Sequence, residues 1–333
     1  MRFHPPPYEA IYSIDNLYYA WHKVSLGRSA KSSIIDFYRN LDQNLLSIAN
    51  DLKNGNYRPG PYNHFIIKDP KERVISASQV RDRVVQHAII NFYEPIFDRH
   101  LIFDSYACRT GKGTHKAVLR AFHFAKSSGF FLKMDVRKYF DSIDHAILKS
   151  LLCILVKDTD VLSLFNIIID SANSVSGKGI PIGNLTSQYL ANYYLSAFDH
   201  HFKEQHHIKR YIRYMDDILI LSENKDDLKV INEKASCYAR DKLKLQFKPS
   251  VMGSISAGAP FLSFLIKPTG IYLQNKTKKR YKLRLIEIEH KRVKGLLNNY
   301  EAGQRIESVT AHLLLARSRH FRNNVLHGRI FGV

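Results

Sequence analysis

The sequence carries, at residues 210–221, the stretch RYIRYMDDILIL, from which most of the fold can be inferred. Two apolar runs flank Tyr-Met-Asp-Asp, which indicates two strands joined by a tight turn that exposes Asp216 and Asp217. Adjacent carboxylates in an apolar hairpin repel one another and lose solvation, and bound cations usually offset that cost. Acidic turns are also common without any metal, so this tetrapeptide alone does not separate a metal site from a structural turn.

A second apolar strand that ends in an acid lies upstream. It runs from Phe130 to Val136 and contains Asp135. Two strands that bring three carboxylates together can hold two Mg²⁺ ions about 3.5–4 Å apart, one activating a 3′-hydroxyl and one binding a triphosphate. The two stretches together therefore predict a site with Asp135, Asp216 and Asp217 as its metal ligands.

The charge of the chain favours a polyanionic partner. The 333 residues include 50 Lys and Arg against 30 Asp and Glu, a formal net charge of +20. Nucleic acid is the first candidate for such a partner. A basic surface that serves only solubility, or a ribosome-associated protein, remains an alternative from charge alone.

Cysteine content and hydropathy point to a protein of the cytoplasm. The three cysteines show no CxxC or Cys/His spacing, which predicts neither a disulfide framework nor a zinc site. The N-terminal stretch MRFHPPP lacks an apolar signal core, and charge interrupts every long apolar run. We therefore expect no membrane insertion.

The residue pattern predicts an alternation of helices and antiparallel strands. Strands are expected at 62–76 as a hairpin around an Asp-Pro-Lys-Glu turn, and at 130–136, 210–221, 261–266 and 270–273. Helices are expected before Asn54 and at 81–97, after the loop 111–113, at 146–171, 185–202 and 225–242, with a Gly-rich loop at 176–183. From Lys276 onward, 14 Lys and Arg face 4 Asp and Glu, which indicates a basic helical module. Its predicted core comprises Tyr281, Leu283, Leu285 and Ile286.

The ordered motifs from about residue 65 to 266 resemble reverse transcriptases of the group II intron-like bacterial branch. RVIS at 73–76 and RDRVVQH at 81–87 resemble the fingers motifs, and YACR at 106–109 with Gly111, Gly113 and His115 resembles the stretch that follows. Residues 134–145 and 214–217 resemble the two catalytic motifs. FLSF at 261–264 stands where the primer-grip turn normally reads Phe-Leu-Gly-Tyr, so Ser263 departs from the pattern.

This resemblance implies an α+β, right-hand polymerase fold with fingers, a palm made of an antiparallel sheet with helices, and a helical thumb. The fingers would span 1–110, the palm 111–270, including a fingers–palm segment at 146–185, and the basic thumb 271–333. The implied activity is RNA-directed DNA polymerase with two Mg²⁺ ions, for which Mn²⁺ can substitute. Template RNA, the RNA–DNA hybrid and dNTPs would be the partners.

The resemblance also assigns roles to individual residues. Asp135, Asp216 and Asp217 would be catalytic metal ligands, with the Val136 carbonyl as a further ligand. Lys248 would be a proton donor to pyrophosphate, and Phe261, Leu262, Ser263 and Phe264 would form the primer grip. Nucleotide-binding roles fall on Lys68, Arg73, Lys138, Tyr139, Phe140, Ile182, Gly183, Gln188, Tyr214 and Met215.

Two of these nucleotide-binding assignments carry a physical expectation of their own. Phe140 would be the steric gate whose ring fills the space that a ribose 2′-hydroxyl needs, so the product would be DNA; an ordinary core aromatic is its alternative. Lys68 and Arg73 would contact the triphosphate as a point cation and a planar donor fork. Taken singly, each of these two cations is better explained as a solvated surface charge.

The loop GIPIGNLTSQ at 179–188 narrows the resemblance to enzymes of diversity-generating retroelements. Most reverse transcriptases have Gln at the position of Ile182, and an apolar side chain there cannot make the polar contacts of Gln, so discrimination of base pairing could weaken. Such enzymes copy a template RNA with errors opposite adenine, and a small basic accessory protein is implied.

Other roles remain open. A reverse transcriptase of an anti-phage defence system, copying a non-coding RNA, can share the Ile182 variant. An inactive RNA-binding scaffold is disfavoured by the intact acids, and an RNA polymerase or primase by the bulky gate. Mobile-intron maturation is disfavoured because the residues after 270 suffice for a thumb but not for DNA-binding or endonuclease domains.

Overall fold

The computed structural model describes residues 7–28, 30–68, 72–172 and 177–330. They form two compact units, each assembled from separated stretches of the chain. The first unit comprises Met1–Phe103, Val136–His207 and Cys237–Gln246, and the second comprises Asp104–Asp135, Ile208–Ser236 and Phe247–Val333, with the undescribed residues set aside. Helices and antiparallel sheets occur together, which confirms the predicted α+β class.

The first unit is helical apart from one hairpin. Its N-terminal part contains α1 (Tyr8–Tyr12), α2 (Ile14–Ser25), α3 (Ser32–Arg39), α4 (Leu41–Lys53), β1 (Asn63–Ile67), β2 (Arg73–Ala77) and α5 (Val80–Arg99). Its later part contains α7 (Tyr139–Ser142), α8 (His145–Leu155), α9 (Thr159–Asp170), α10 (Leu185–Tyr194), α11 (Ser196–His200) and a π-helical turn at His201–Gln205.

Caps and apolar stripes explain these helices. The Asp158 carboxylate accepts hydrogen bonds from the backbone N–H of Asp160 (2.9 Å) and Val161 (3.1 Å), which begins α9. In α2, the fully buried Leu17, Ala20 and Val24 recur at helical spacing. α2 packs against α5, so the centre of this unit is a helix pair.

The second unit is built on a four-stranded antiparallel sheet in the order β4-β5-β3-β6. These strands are β3 (Phe130–Asp135), β4 (Tyr211–Tyr214), β5 (Asp217–Ser222) and β6 (Val251–Ser254). The two central strands bury Leu132, Ile218 and Ile220 completely. The helix α6 (Thr114–Ala125) packs on β4. The sheet therefore holds β3 and β5 in one fixed register.

A smaller sheet and three helices complete the second unit. The sheet contains β7 (Ala259–Phe261), β8 (Phe264–Lys267) and β9 (Gly270–Leu273), and α13 (Asn275–Val293), α14 (Asn299–Ala311) and α15 (Arg319–Ile330) follow. The helix α12 (Lys225–Leu243) begins in this unit and ends in the first. Among the helices of the described residues, none is both long and apolar enough to cross a bilayer.

Several predicted elements need correction. The strand expected at 261–266 is confirmed only from Phe264, where β8 begins and pairs with β9, because Leu262 (φ 47°) and Ser263 (φ 76°) form a turn that separates β7 from β8. The helix expected at 185–202 is interrupted at Leu195 and ends in the π-helical turn. The strand β6 was not predicted. Of the predicted hairpin turn, residues 69–71 lie outside the described residues, as does Ser176 of the Gly-rich loop.

The predicted core of the basic module is half right. Tyr281 and Leu285 are buried, but Leu283 is 55% and Ile286 44% exposed. Ile288 is buried instead, because the inward face of α13 repeats at 281, 285 and 288 and the intervening apolar residues point to solvent. An apolar residue in a helix is placed by its angular position more than by its hydropathy.

Candidate active site

The sheet of the second unit brings two of the three predicted carboxylates directly opposite one another. β3 ends at Asp135 and β5 begins at Asp217, and these two residues are paired across the strands. Asp216 lies in the two-residue turn that the Tyr214–Asp217 pair closes. The predicted hairpin is confirmed, and its acids and Asp135 lie at one end of the sheet.

The turn that carries Asp216 is held by groups on either side of it. Met215 has φ 55°, in the left-handed region that a non-glycine residue enters at a cost of roughly 1–2 kcal/mol. The guanidinium of the fully buried Arg213 donates to the Met215 carbonyl at 3.0 Å. The Thr114 hydroxyl donates to the Tyr214 hydroxyl at 3.2 Å. These bonds offset the strain of the turn and hold the acid pair in place.

Two lysines neutralise the opposed acids. The Lys133 ammonium lies 3.3 Å from a carboxylate oxygen of Asp217, and the Lys248 ammonium contacts a carboxylate oxygen of Asp135. The backbone N–H of Lys248 also donates to the Asp135 carbonyl at 2.8 Å. The predicted proton donor thus lies beside one of the predicted catalytic acids, and both roles stay predictions.

Asp217 lies in an environment that raises the pKa of its carboxyl group. Burial raises its pKa from 3.8 to about 6, Lys133 opposes that rise, and Asp135 and Asp216 add to it. Its Oδ1 atom is buried and finds no hydrogen-bond partner among the described residues. A buried carboxylate oxygen without a donor is costly unless a further cation binds it.

These features fit a hard divalent cation. The possible metal ligands are carboxylate oxygens, which Mg²⁺ prefers. One of them, Oδ1 of Asp217, has no hydrogen-bond partner among the described residues. Within the part of the chain that the structure describes, no three His, Cys, Asp or Glu side chains are grouped closely enough to form a preformed metal cage. Ammonium ions of Lys133 and Lys248 instead contact Asp217 and Asp135, two of the three acids that a metal would bind.

The predicted steric gate, Phe140, and its neighbours in the chain lie in the first unit. Lys138 is exposed and has φ 44°, and it precedes the short helix α7. Tyr139 is 3% exposed and its hydroxyl donates to the Ala191 carbonyl, which leaves only its main chain for the predicted nucleotide contact. Phe140 is half-buried and packs edge-on against Tyr139 with ring centroids 5.7 Å apart. Val136 is fully buried.

The Ile182 loop docks on the β1–β2 hairpin within the same unit. The backbone N–H of Ser76 donates to the Ile182 carbonyl at 2.8 Å. Gly183 has φ 119°, and a Cβ at this position would meet the Ile75 side chain at 2.8 Å, so glycine is required here. A cavity of about 340 Å³ is lined by both elements, with Val74, Ser76, Ile180 and Ile182 among its walls.

The remaining predicted nucleotide contacts are exposed. Lys68 and Arg73 lie at the ends of the two hairpin strands, and Gln188 is exposed on α10. Phe65, Ile66 and Val74 on the hairpin are also between 49% and 55% exposed. This hairpin therefore presents both cations and apolar side chains to solvent.

The predicted primer grip is a tight turn fixed to the start of α13. Phe261 and Phe264 are fully buried, and Leu262 and Ser263 form the turn between them. The Ser263 carbonyl accepts from the Thr277 hydroxyl at 2.8 Å. The serine that replaces glycine thus sits in a conformation that glycine adopts at less cost.

Sequence reasoning missed two residues that shape this site. Arg213 and Lys133 are charged residues inside otherwise apolar strands, and each makes a contact that positions or neutralises the acids. A buried cation in an apolar strand needs a nearby acceptor. That requirement is the signal by which both could have been found.

The chain belongs to the family described as reverse transcriptase (RNA-dependent DNA polymerase), which residues 66–251 match. Protein YkfC of Escherichia coli (strain K12) is 24% identical over 244 residues, which are 60% of this chain and 64% of that protein. The group II intron-encoded protein LtrA of Lactococcus lactis subsp. cremoris is 27% identical over 173 residues, 47% of this chain and 28% of that protein. The chain spans less than two thirds of the length of either relative.

A solved structure, the apo telomerase of Candida tropicalis, shares the fold. Its TM-score is 0.50 at 13% identity, covering 63% of this chain and 48% of that chain. At this identity the likeness concerns the fold alone. It agrees with the predicted right-hand polymerase architecture.

We predict that Asp217→Asn stabilises the metal-free protein at neutral pH. Since the pKa of Asp217 is raised in the folded protein, the folded state binds this proton more tightly than the unfolded state does. The free energy of unfolding of the native chain should then fall as pH rises from about 4 to about 6, and the variant should lack that loss, a gain on the order of 2 kcal/mol. Thermal melts across this pH range would measure it.

The control is Asp36→Asn, which removes an exposed carboxylate paired with Arg39 at 3.3 Å and should change stability by less than about 1 kcal/mol. Added Mg²⁺ should raise the melting temperature of the native chain more than that of Asp217→Asn. Equal pH profiles for native chain and Asp217→Asn would contradict the description of this acid.

Proposed function

We propose that the protein is an RNA-directed DNA polymerase that uses two Mg²⁺ ions to make DNA on an RNA template. The observation that carries this proposal is the opposed pair Asp135 and Asp217, with Asp216 in the adjoining turn. One buried carboxylate oxygen of Asp217 has no hydrogen-bond partner in the part of the chain that the structure describes. Membership of the reverse transcriptase family supports it. Template RNA, the RNA–DNA hybrid and dNTPs are the proposed partners, and the cytoplasm is the proposed location.

The proposed metal ligands are the three carboxylates and the Val136 carbonyl. When bound, the ions would supply activation of the primer 3′-hydroxyl and neutralisation of the triphosphate, as in other two-metal enzymes. The lysines offset the repulsion between the carboxylates until then, because each ammonium ion contacts one of the two opposed acids. Lys248 would then be released from Asp135 and would protonate the leaving pyrophosphate.

The residues of the first unit are proposed to bind the nucleotide. Lys68 and Arg73, exposed on the hairpin, would contact the triphosphate. Phe140 would exclude the 2′-hydroxyl and so select dNTPs.

The basic helix α13 carries Lys276, Lys279 and Arg284 on its exposed surface and would bind the phosphate backbone of the hybrid with a strong salt dependence.

For the biological role, we propose error-prone copying in a diversity-generating retroelement, assisted by a small basic accessory protein. Ile182 supports this role, since it lines the cavity beside the hairpin where most family members carry Gln. Its side chain offers dispersion contacts but no hydrogen bond to a base or sugar, so mispaired geometry is penalised less. A defence enzyme that copies a non-coding RNA would be expected to copy accurately.

Primer extension on an RNA template with Mg²⁺ and dNTPs tests the activity. The native chain should make DNA, and Asp216→Ala plus Asp217→Ala should make none detectable, because the loss of both acids removes the metal ligands. A matched control is Asp226→Ala plus Asp227→Ala, two adjacent acids exposed on α12, which should extend at the native rate. Extension by the double active-site variant would contradict the proposed role of these acids. Extension by neither protein, even with its own upstream RNA and candidate partners, would support the scaffold alternative.

Sequencing the extension products tests the biological role. In the native chain, misincorporation should concentrate opposite template adenine, and Ile182→Gln should lower that error rate because it restores a polar contact. Ile182→Leu is the control, since it keeps an apolar side chain of the same size and should keep the errors. Accurate copying by the native chain would favour the defence role.

A further inference from the structure

The helix pair at the centre of the first unit encloses a row of polar and cationic side chains. On α5, Arg83, His87 and Asn91 recur every four residues and therefore lie on one face. The Lys23 ammonium of α2 donates to the Asn91 side chain at 2.7 Å, and Asn91 donates to the Asn16 side chain at 2.8 Å. We call Lys23, Arg28, Arg83 and His87 the α2–α5 seam.

The three cations of the seam have no acidic counterpart in the described part of the chain. Neither Lys23, Arg28 nor Arg83 forms an ion pair there, although ion pairs are frequent elsewhere in the molecule. The Nε atom of Arg83 is buried and has no hydrogen-bond partner among the described residues. Arg28 is exposed, and its guanidinium donates to the Val24 carbonyl at 3.3 Å.

The like charges of the seam lower the pKa values of two of its members. Burial and the charges of Lys23, Arg28 and Arg83 lower the pKa of His87 to about 4. Burial and the charge of Arg28 lower the pKa of Arg83. Both shifts report a locally positive potential, and a cluster of this kind is stabilised by a bound anion.

An exposed aromatic ring adjoins the seam. Tyr19 is 53% exposed, and the Lys23 ammonium lies 4.4 Å from its ring centroid. A site for single-stranded nucleic acid has two components: cations that bind phosphates, and an aromatic ring on which a base can stack. A free phosphate would use the cations but not the ring.

We propose that the α2–α5 seam binds the sugar-phosphate backbone of single-stranded RNA, with Arg28 and Arg83 on phosphates and Tyr19 stacked on a base. All the residues of this site belong to the first unit, whereas the catalytic acids belong to the second. The site extends the proposed function by giving the RNA a contact that does not depend on catalysis. Lys23, Arg28 and Arg83 are three of the 50 Lys and Arg residues that give the chain its net charge of +20.

Binding of a short fluorescein-labelled oligouridylate to the full chain, measured by anisotropy without dNTPs or metal, tests the site. Arg28→Gln plus Arg83→Gln should raise the Kd on the order of tenfold. The slope of log K against log salt should fall by about 1.4 over about 50–200 mM, since each lost single-strand phosphate contact accounts for about 0.7. Lys225→Gln plus Lys234→Gln, which removes the same charge from exposed positions of α12, should leave both quantities at their native values.

Two further variants separate stacking from charge. Tyr19→Ala should raise the Kd at least fivefold with an unchanged salt slope, because stacking on a ring is worth about 1–3 kcal/mol per base. Tyr19→Phe keeps the ring and should bind as the native chain does. A general loss of fold would not raise the Kd while leaving the salt slope unchanged. Melting curves of both Tyr19 variants would also exclude it.

The proposal is overturned if the seam variant binds oligouridylate with the native Kd and slope, or if it loses no more than the α12 control. It is also overturned if inorganic phosphate at constant ionic strength abolishes the difference between native and seam variant, since the site would then take a free anion. Because no polymerisation is measured, an inactive enzyme with an intact seam effect would refute the proposed function and leave this inference standing.

Discussion

The opposition of Asp135 and Asp217 across β3 and β5 is the constraint on which the rest of the structure depends. Directly opposed residues of an antiparallel pair have Cα atoms about 4.5–5.5 Å apart. Two unit charges about 5 Å apart repel by about 3 kcal/mol at an effective dielectric constant of about 20. Such a cost is a large part of the stability of a typical domain. The strands can hold this register only if the apolar pairs behind the acids and the cations beside them offset it.

Both kinds of compensation are present. Met134 and Ile218, next to the acids in the register, are almost fully buried, which fixes the strands against slippage by one residue. Lys133 and Lys248 supply positive charge to one acid each. Among the described residues, the Oδ1 atom of Asp217 has no hydrogen-bond partner, and the proposed divalent ion would supply the missing positive charge. The fold thus carries a cost in stability that the proposed ion would reduce.

The sequence predicts those parts of the fold and of the candidate site that neighbouring residues determine, and it fails where distant contacts determine the conformation. The hairpin at 210–221 follows from two apolar runs and a turn, and the sequence located its acids correctly. The residue pattern predicts a strand through Leu262 and Ser263, because neither residue favours the positive φ that both adopt, and only the family resemblance indicates a turn there. The assignment of Leu283 to a core failed because hydropathy does not report which face of a helix is covered.

The α2–α5 seam shows the other limit. Lys23, Arg28, Arg83 and His87 are separated by up to 64 positions and carry no motif, so only the packing of two helices reveals that they form one group. Arg83 lies within the RDRVVQH stretch used to infer the fingers, yet that resemblance says nothing about its charged neighbours. Nucleic-acid contacts built from dispersed cations are generally invisible to pattern reading.

Counting bound Mn²⁺ by electron paramagnetic resonance, in the presence of an RNA–DNA primer-template and a non-reactive dNTP analogue, tests the central claim most directly. We expect two ions per native chain, and fewer for Asp135→Asn, whose neutral amide still fits the β3–β5 register but is a weaker ligand. If Asp135→Asn binds as many Mn²⁺ ions as the native chain, at the same concentrations, the opposed carboxylates are not the metal site and the proposed mechanism is wrong.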